Sequence, residues 1–383
     1  MSDLLDDLSA LRAIGARGTG VVRPAFSPDD VRARLWLAER FEAAGLEPRI
    51  DPAGNVWGLR GPLLMGSHVD TQPEGGWLDG TYGVMAALAV ARGNPEVSVV
   101  AFQDEEGRFG ATTGSEIWSG ALSLEAADRL VALDGTRFAD ARQALPATGD
   151  FPDPNSFRAY VEPHIEQGPV LDAAGESVGV VTAIVGLRQF TVTLRGQQNH
   201  AGTTPMRLRR DAFAGLVRAS AAIDAALAPL VTPDSVWTVG HVALHPNAAS
   251  AVPGEVRFTV QWRDADAARL DNMEAAIRGA LDEAAGDLAL RVSDTASLPP
   301  TAMNPALRRA LAEAAEAELP GAWREMPSGA LHDATNVARL MPAAMLFVPS
   351  KGGISHDFAE DTDEKHLLAG LRVLERAAKT LAA

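Results

Sequence analysis

Residues 97–107 read Val97-Ser98-Val99-Val100-Ala101-Phe102-Gln103-Asp104-Glu105-Glu106-Gly107. A short apolar run passes through one glutamine into three adjacent carboxylates. The apolar half has the length and content of a strand buried on both faces, as in a sheet covered by helices. The acidic half then falls at the strand's carboxyl end, the edge where α/β sheets build their sites. Adjacent carboxylates repel one another unless something positive compensates. A metal ion does so, and leaves one glutamate as ligand and its neighbour as base. A solvated acidic loop is the alternative reading of this stretch alone.

Working outward, the same arrangement recurs. Strand Leu63–Ser67 leads into Gly66-Ser67-His68-Val69-Asp70-Thr71. Asp70 is placed to accept a hydrogen bond from the second ring nitrogen of His68, a common support for a metal-binding histidine. Asp79-Gly80 precedes a helix expected over Tyr82–Arg92, where a carboxylate can approach two cations at once. His164 follows the strand-like Ala159–Val161, in Glu162-Pro163-His164-Ile165-Glu166-Gln167-Gly168. His356 follows strand Ala343–Val348, in Gly352-Gly353-Ile354-Ser355-His356. Each cluster alone reads as a turn, a polar strand end or a structural histidine. Four of them, each behind an apolar strand of one α/β domain, point at one sheet edge. His68, Asp79, one glutamate of the acidic loop, His164 and His356 form a donor set suited to zinc, manganese, cobalt or nickel. It fits two divalent ions bridged by a carboxylate at roughly 3.5–4 Å.

Composition agrees. The chain has 383 residues, 46% hydrophobic and 22% charged, enough for about two to three domains with sizeable cores. Cysteine is absent, so disulfides and thiolate chemistry are excluded and any metal must be held by histidine and carboxylate. A net charge of −16 argues against nucleic acid or an anionic membrane as partner. No apolar run is long enough to span a bilayer, and the acidic first residues carry no apolar signal core. The cytoplasm is the expected compartment.

The chain also changes character along its length. Ser27-Pro28-Asp29-Asp30 has the residues of a helix start, closed at Gly45. From Leu187 the pattern becomes strand (187–195), helix (211–227), strand (236–244), strand (255–263), helix (265–285) and strand (287–292). That β-α-β-β-α-β order is a ferredoxin-like unit. The α/β pattern resumes with a helix expected over Ala330–Leu340 and another over Glu364–Ala382. The expected organisation is an α/β catalytic domain (1–185 and 299–383) interrupted by a lid domain (186–298). In the lid, His200 of Asn199-His200-Ala201-Gly202-Thr203-Thr204-Pro205-Met206 can donate a hydrogen bond to a developing oxyanion. Arg263 can clamp a carboxylate; as a surface residue it would instead pair with Asp264 or Asp266.

These stretches resemble the hydantoinase/carbamoylase family of dinuclear-metal amidohydrolases, relatives of the metallo-aminoacylases and metallo-carboxypeptidases. The matching segments are GSHVDTQPEGGWLDGTYGVMAAL, FQDEEGRFG, EPHIEQGPVL, NHAGTTPM, SGALHDA and GGISH, in the family's order from position 66 to 356. The resemblance implies a zinc-aminopeptidase-like catalytic domain, a mixed sheet flanked by helices, with an inserted ferredoxin-like lid that also forms a homodimer. It implies His68 and His356 on opposite metals, Asp79 bridging, and Glu106 and His164 completing the set. Glu105 would be the general base, and His200 would stabilise the oxyanion, often from the partner's lid. Gln167, Asn247, Ser250, Gly353 and Arg263 would meet a small carboxylate substrate carrying a ureido group. The implied reaction is cleavage of the carbamoyl C–N bond of N-carbamoyl-L-amino acids or of ureido acids such as allantoate. An N-acyl-amino-acid deacylase or dipeptidase on the same scaffold is the rival, and a non-catalytic metal-binding scaffold a more distant one.

The chain departs from the family pattern at Ser250 (usually asparagine), Gln261 (usually aspartate), Leu331 (usually glycine), Gln198 and Trp77. The departures spare every metal and base position and fall where substrate would be met. His332 matches a family histidine without a role that its sequence context supplies.

Overall fold

The computed structural model describes residues 2–382. It divides into two compact units. The first runs to Thr182 and resumes at Met303, and the second is Ala183–Ala302.

In the first unit, helices α1 (Ser2–Arg12) and α2 (Pro28–Ala43) precede strands β1 (Glu47–Ile50), β2 (Val56–Leu59) and β3 (Leu63–His68). The start of α2 is as its sequence implies: Ser27 Oγ accepts from the Asp30 amide at 3.2 Å, and Pro28 occupies the first turn. Helix α3 (Thr81–Gly93), β4 (Val97–Phe102), β5 (Ala159–Ile165) and β6 (Val178–Ile184) follow. The sheet order is β6-β12-β5-β3-β4-β2-β1, with β12 (Ala343–Val348) inserted from the far end of the sequence, and with β11 (Trp323–Ser328) and the two-residue strand Thr301–Ala302 also pairing with β6. Strands β12, β5, β3 and β4 are parallel neighbours. They are buried along their whole length, which is why β4 and β12 and the first halves of β3 and β5 are apolar runs without alternation. Their carboxyl ends lie side by side.

Helix α3 is buried almost throughout and packs on β3, β4 and β5. Helices α6 (Pro305–Glu318) and α7 (Glu364–Ala382) pack against one another, and both contact β12. The rings of Trp57, Phe102, Trp118 and Phe157 form a second cluster, with contacting centroids 4.9 to 6.1 Å apart. Burying each large side chain contributes about 1.5–3 kcal/mol, so the ends of β2 and β4 rest on a stiff base.

Two local expectations fail. Strand β5 does not stop at Val161 but continues to Ile165, so His164 stands within the strand, in register with Phe347 of β12. The helix expected over Ala330–Leu340 is reduced to Ala334–Val337. Ser328 Oγ bonds the backbone of Ala330 and lies 2.9 Å from His332 Nε2, which holds 328–332 as a loop in competition with helix.

The second unit is a four-stranded antiparallel sheet in the order β8-β9-β7-β10. Its elements are β7 (Gly186–Arg195), α4 (Ala212–Leu227), β8 (Val236–His245), β9 (Glu255–Asp264), α5 (Ala267–Ala285) and β10 (Ala289–Leu298). Alternate residues Phe190, Val192, Leu194, Val256, Phe258, Val260 and Trp262 form one core with α4 and α5. The opposite face is polar, and β8 is an edge strand. Among the described residues, no helix is long and apolar enough to cross a membrane.

Candidate metal centre

His68 ends β3, and its Nδ1 lies 3.0 Å from the Asp70 carbonyl oxygen. That carbonyl accepts, so Nδ1 carries the proton and Nε2 presents a bare lone pair. His164 repeats the arrangement at Nδ1, 2.9 Å from the Ile165 carbonyl, while its Nε2 accepts from the Gly80 amide at 3.2 Å. Burial pushes both imidazoles down to about 4, so both are neutral at pH 7. The expected Asp70 support is therefore corrected in detail. Its backbone, not its carboxylate, orients His68; the nearest carboxylate oxygen is 3.8 Å away. The Asp70 carboxylate instead accepts from the Glu106 amide at 3.2 Å and faces Arg34.

Asp79 sits between two groups of ligands. Its Oδ1 is 3.2 Å from His164 Nε2 and 3.9 Å from His68 Nε2, while its Oδ2 is 3.2 Å from His356 Nε2. Gly80 permits this. Its φ is +61°, and a Cβ there would stand 2.3 Å from the His68 ring, so only glycine fits. Burial opposes ionisation of Asp79. The hydrogen bond with His356, then attraction to the surrounding imidazoles wherever they carry a proton, outweighs it and holds the carboxyl below its usual range.

The acidic loop after β4 is folded on Asp104, whose carboxylate accepts from the amides of Phe109 and Gly110 and from Thr113 Oγ1. Its neighbours then face the cluster. Glu105 Oε2 lies 3.6 Å from His68 Nε2, and Glu106 Oε2 lies 3.4 Å from His356 Nε2. Gln72 steadies Glu106, its side-chain amide donating to Oε2 at 2.8 Å and its backbone amide to Oε1 at 3.2 Å. Burial, then the charge of Glu106, raises the Glu105 carboxyl well above its usual value. Burial, then Asp79, pushes Glu106 up to about 8. His356, hydrogen-bonded to Asp79 and beside Glu106, is pushed up to about 9.

Two sets of potential ligand atoms thus share Asp79: His68, Asp79 and His164, and Asp79, Glu106 and His356, each within 4.8 Å. The fit to cations is chemical. Asp79 Oδ1 is buried without a hydrogen-bond partner, and it is faced by the acceptor Nε2 atoms of His68 and His164, of which only the second meets a donor, the Gly80 amide. Acceptors converge on acceptors, which a divalent cation resolves. A third grouping, Glu162, His164 and His332, is of a different kind. The Glu162 carboxylate is already taken by Ser67 Oγ at 2.8 Å and the Ala334 amide at 2.7 Å. His332 is buried with its ring 4.5 Å from that of His164, edge to face.

Gln167 adopts φ +59° and donates from Nε2 to Asp79 Oδ2 at 3.0 Å. Gly353 lies in the turn before His356. The remaining expected residues belong to the second unit. His200 Nδ1 accepts from the amides of Gly202 and Thr203, so its Nε2 carries the ring proton outward. Ser250 is adjacent, its carbonyl accepting from the Ala201 amide. Asn247 follows the only cis-proline among the described residues and has φ +54°. Arg263 Nε donates to Gln261 Oε1 at 3.1 Å, and Gln261 Nε2 in turn donates to Gln189.

Several contributors escaped the sequence reading. Arg34 on α2 is fully buried, pairs with Asp30 at 2.9 Å and Asp70 at 3.4 Å, and donates to the Ala101 and Phe102 carbonyls. Glu360 reaches the Asp79 loop from four residues beyond His356. That spacing is the one signal in the sequence that could have drawn attention to it.

With this geometry in hand, comparisons with known proteins agree. The family model described as Peptidase family M20/M25/M40 matches residues 64–380. Allantoate amidohydrolase of Escherichia coli (strain K12) is 38% identical over 93% of this chain and 91% of its own. N-carbamoyl-L-amino-acid amidohydrolase of Paenarthrobacter aurescens is 34% identical over 98% and 96%. The solved structure of an amidase of the hydantoinase/carbamoylase family from Burkholderia phymatum is 44% identical, with a TM-score of 0.93 over 99% of this chain and 96% of that one. A family model covering most of the chain, and relatives aligned nearly end to end, make this chain a member of peptidase family M20/M25/M40.

Proposed function

We propose that the protein is a metal-dependent amidohydrolase that cleaves the carbamoyl C–N bond of N-carbamoyl-L-amino acids or of related ureido acids such as allantoate. The observation that carries this reading is Asp79 between two histidine-containing ligand groups, with Glu105 beside them as a carboxylate outside both. His68, Asp79 and His164 would hold one cation, and Asp79, Glu106 and His356 the other. Zinc, manganese, cobalt and nickel all suit these donors. When bound, the cations supply Lewis acidity to water and to the substrate carbonyl.

Glu105 takes the proton of the attacking water and later gives it to the leaving nitrogen. Its raised pKa suits both halves of that task. His200, with its proton on Nε2, donates to the oxyanion. Arg263, whose Nε donates to Gln261, would meet the substrate carboxylate. Gln167, Asn247, Ser250 and Gly353 complete the contacts to the ureido and carboxylate groups. With an N-carbamoyl amino acid the products are the free amino acid, carbon dioxide and ammonia.

The inserted unit, residues 186–298, serves as lid and dimer contact in this reading. The edge strand β8 and the exposed side chains of Phe213 and Val217 on α4 support a homodimer through this surface. The deciding experiment screens metal-loaded protein against N-carbamoyl, N-acyl and dipeptide substrates. Ammonia from N-carbamoyl substrates supports the reading. Turnover confined to N-acyl or dipeptide substrates makes the protein a deacylase or peptidase instead.

A further inference from the structure

Glu360 is a buried carboxylate that the reaction above does not use. Its side chain is 2% exposed, and among the described residues no lysine or arginine pairs with it. Its Oε1 accepts from the backbone amides of Leu78 at 3.2 Å and Asp79 at 3.1 Å. Its Oε2 accepts from Ser355 Oγ at 2.8 Å. The approach to the first loop is close. A Cβ on Gly76 would stand 1.9 Å from Oε1, so the chain gives up a side chain there to admit the carboxylate.

The two segments so joined carry Asp79 and His356. Asp79 lies just before α3, and His356 lies in the turn region after β12. They are far apart in sequence. A carboxylate buried beside Asp79 adds to the repulsion there. Its retention therefore calls for a compensating role. Its three hydrogen bonds supply one, since all three end on the residues that carry or immediately precede the two ligands.

We infer that Glu360 is a positioning residue: its side chain ties the Asp79 loop to the His356 loop, so that these ligands meet Glu106 in one geometry. The inference rests on the proposed metal reading. The reach of the side chain matters, and its charge does not. Glu360→Gln keeps both links, because one oxygen still accepts the two amides while the amide nitrogen donates to Ser355 Oγ. Glu360→Asp keeps the charge but is one methylene too short to span both loops.

The test is competition of the full-length chain with a chromophoric chelator for Zn²⁺ and Mn²⁺, in wild type, E360Q and E360D. Circular dichroism of the metal-free proteins checks that each is folded. The expected result is a loss of about ten-fold or more in affinity for the weaker-bound ion in E360D, with E360Q within a few-fold of wild type. At saturating metal, kcat of E360D recovers toward wild type. E360D binding like wild type, or E360Q losing as much as E360D, overturns the inference while leaving the metal reading standing. Wild-type protein that takes up no divalent ion removes the metal reading itself.

Discussion

The guanidinium of Arg34 lies 3.4 Å from the Asp70 carboxylate, and both side chains are sealed from solvent. The same guanidinium bonds Asp30 and the last two carbonyls of β4, so it joins the end of β3 to the end of β4 behind the ligands. Arg34→Met leaves two buried carboxylates uncompensated. Breaking a buried pair in this way costs about 3–5 kcal/mol. The expected outcome is a fall of many degrees in melting temperature, measured by calorimetry on the metal-free protein.

Glu105→Gln removes the proposed base without removing a ligand. Metal content and melting temperature should match wild type, while kcat falls by about 10²–10⁴-fold. Elemental analysis and steady-state kinetics check both halves. A fully active variant would assign the base elsewhere.

Arg263→Gln tests the carboxylate clamp. Loss of a charge-assisted contact of about 1.5–3 kcal/mol should lower kcat/KM roughly 10- to 100-fold, mostly through KM. A substrate amidated at its carboxylate should lose this sensitivity.

Cation uptake should be linked to protons. Glu106 titrates at about 8 and His356 at about 9, so at pH 7 each holds a proton that ligation must displace. Both pKa values lie above pH 7, so the apparent affinity rises as the pH is raised from 6 toward 9. Calorimetry in buffers of different ionisation enthalpy should report proton release. Chelation should abolish activity and lower the melting temperature, and added Zn²⁺ or Mn²⁺ should restore both.

Val217→Glu places a charge on the exposed face of α4, beside Phe213. If this face forms the dimer, light scattering should find monomer where wild type is dimer. Metal content should not change.

The parallel strands and the loops behind them were legible because each strand is buried on both faces and each polar cluster begins where an apolar run ends. The sheet edge that gathers His68, Glu106, His164 and His356 follows from that rule. What the sequence concealed lies in contacts between distant segments. Arg34 reads as an ordinary residue of an amphipathic helix, and nothing near it announces Asp70. The helix over Ala330–Leu340 was overextended because its composition suits a helix, while the bonds of Ser328 that oppose it depend on local geometry. His164 reads as lying beyond its strand because the apolar run ends at Val161, whereas the strand continues to Ile165. Asp70 is the partner of His68, as the spacing suggests, but through its backbone carbonyl, which lies nearer than its carboxylate.

One of the five proposed ligands differs from the other four. The side chain of His356 is 47% exposed, whereas those of His68, Asp79, Glu106 and His164 are 1–7% exposed. The corner it completes is open to the medium, and the corner of His68 and His164 is closed. On the proposed two-ion reading, an ion at the open corner should exchange faster than its neighbour. Purified batches should then hold one tenacious ion and a variable fraction of the second, and specific activity should track that fraction.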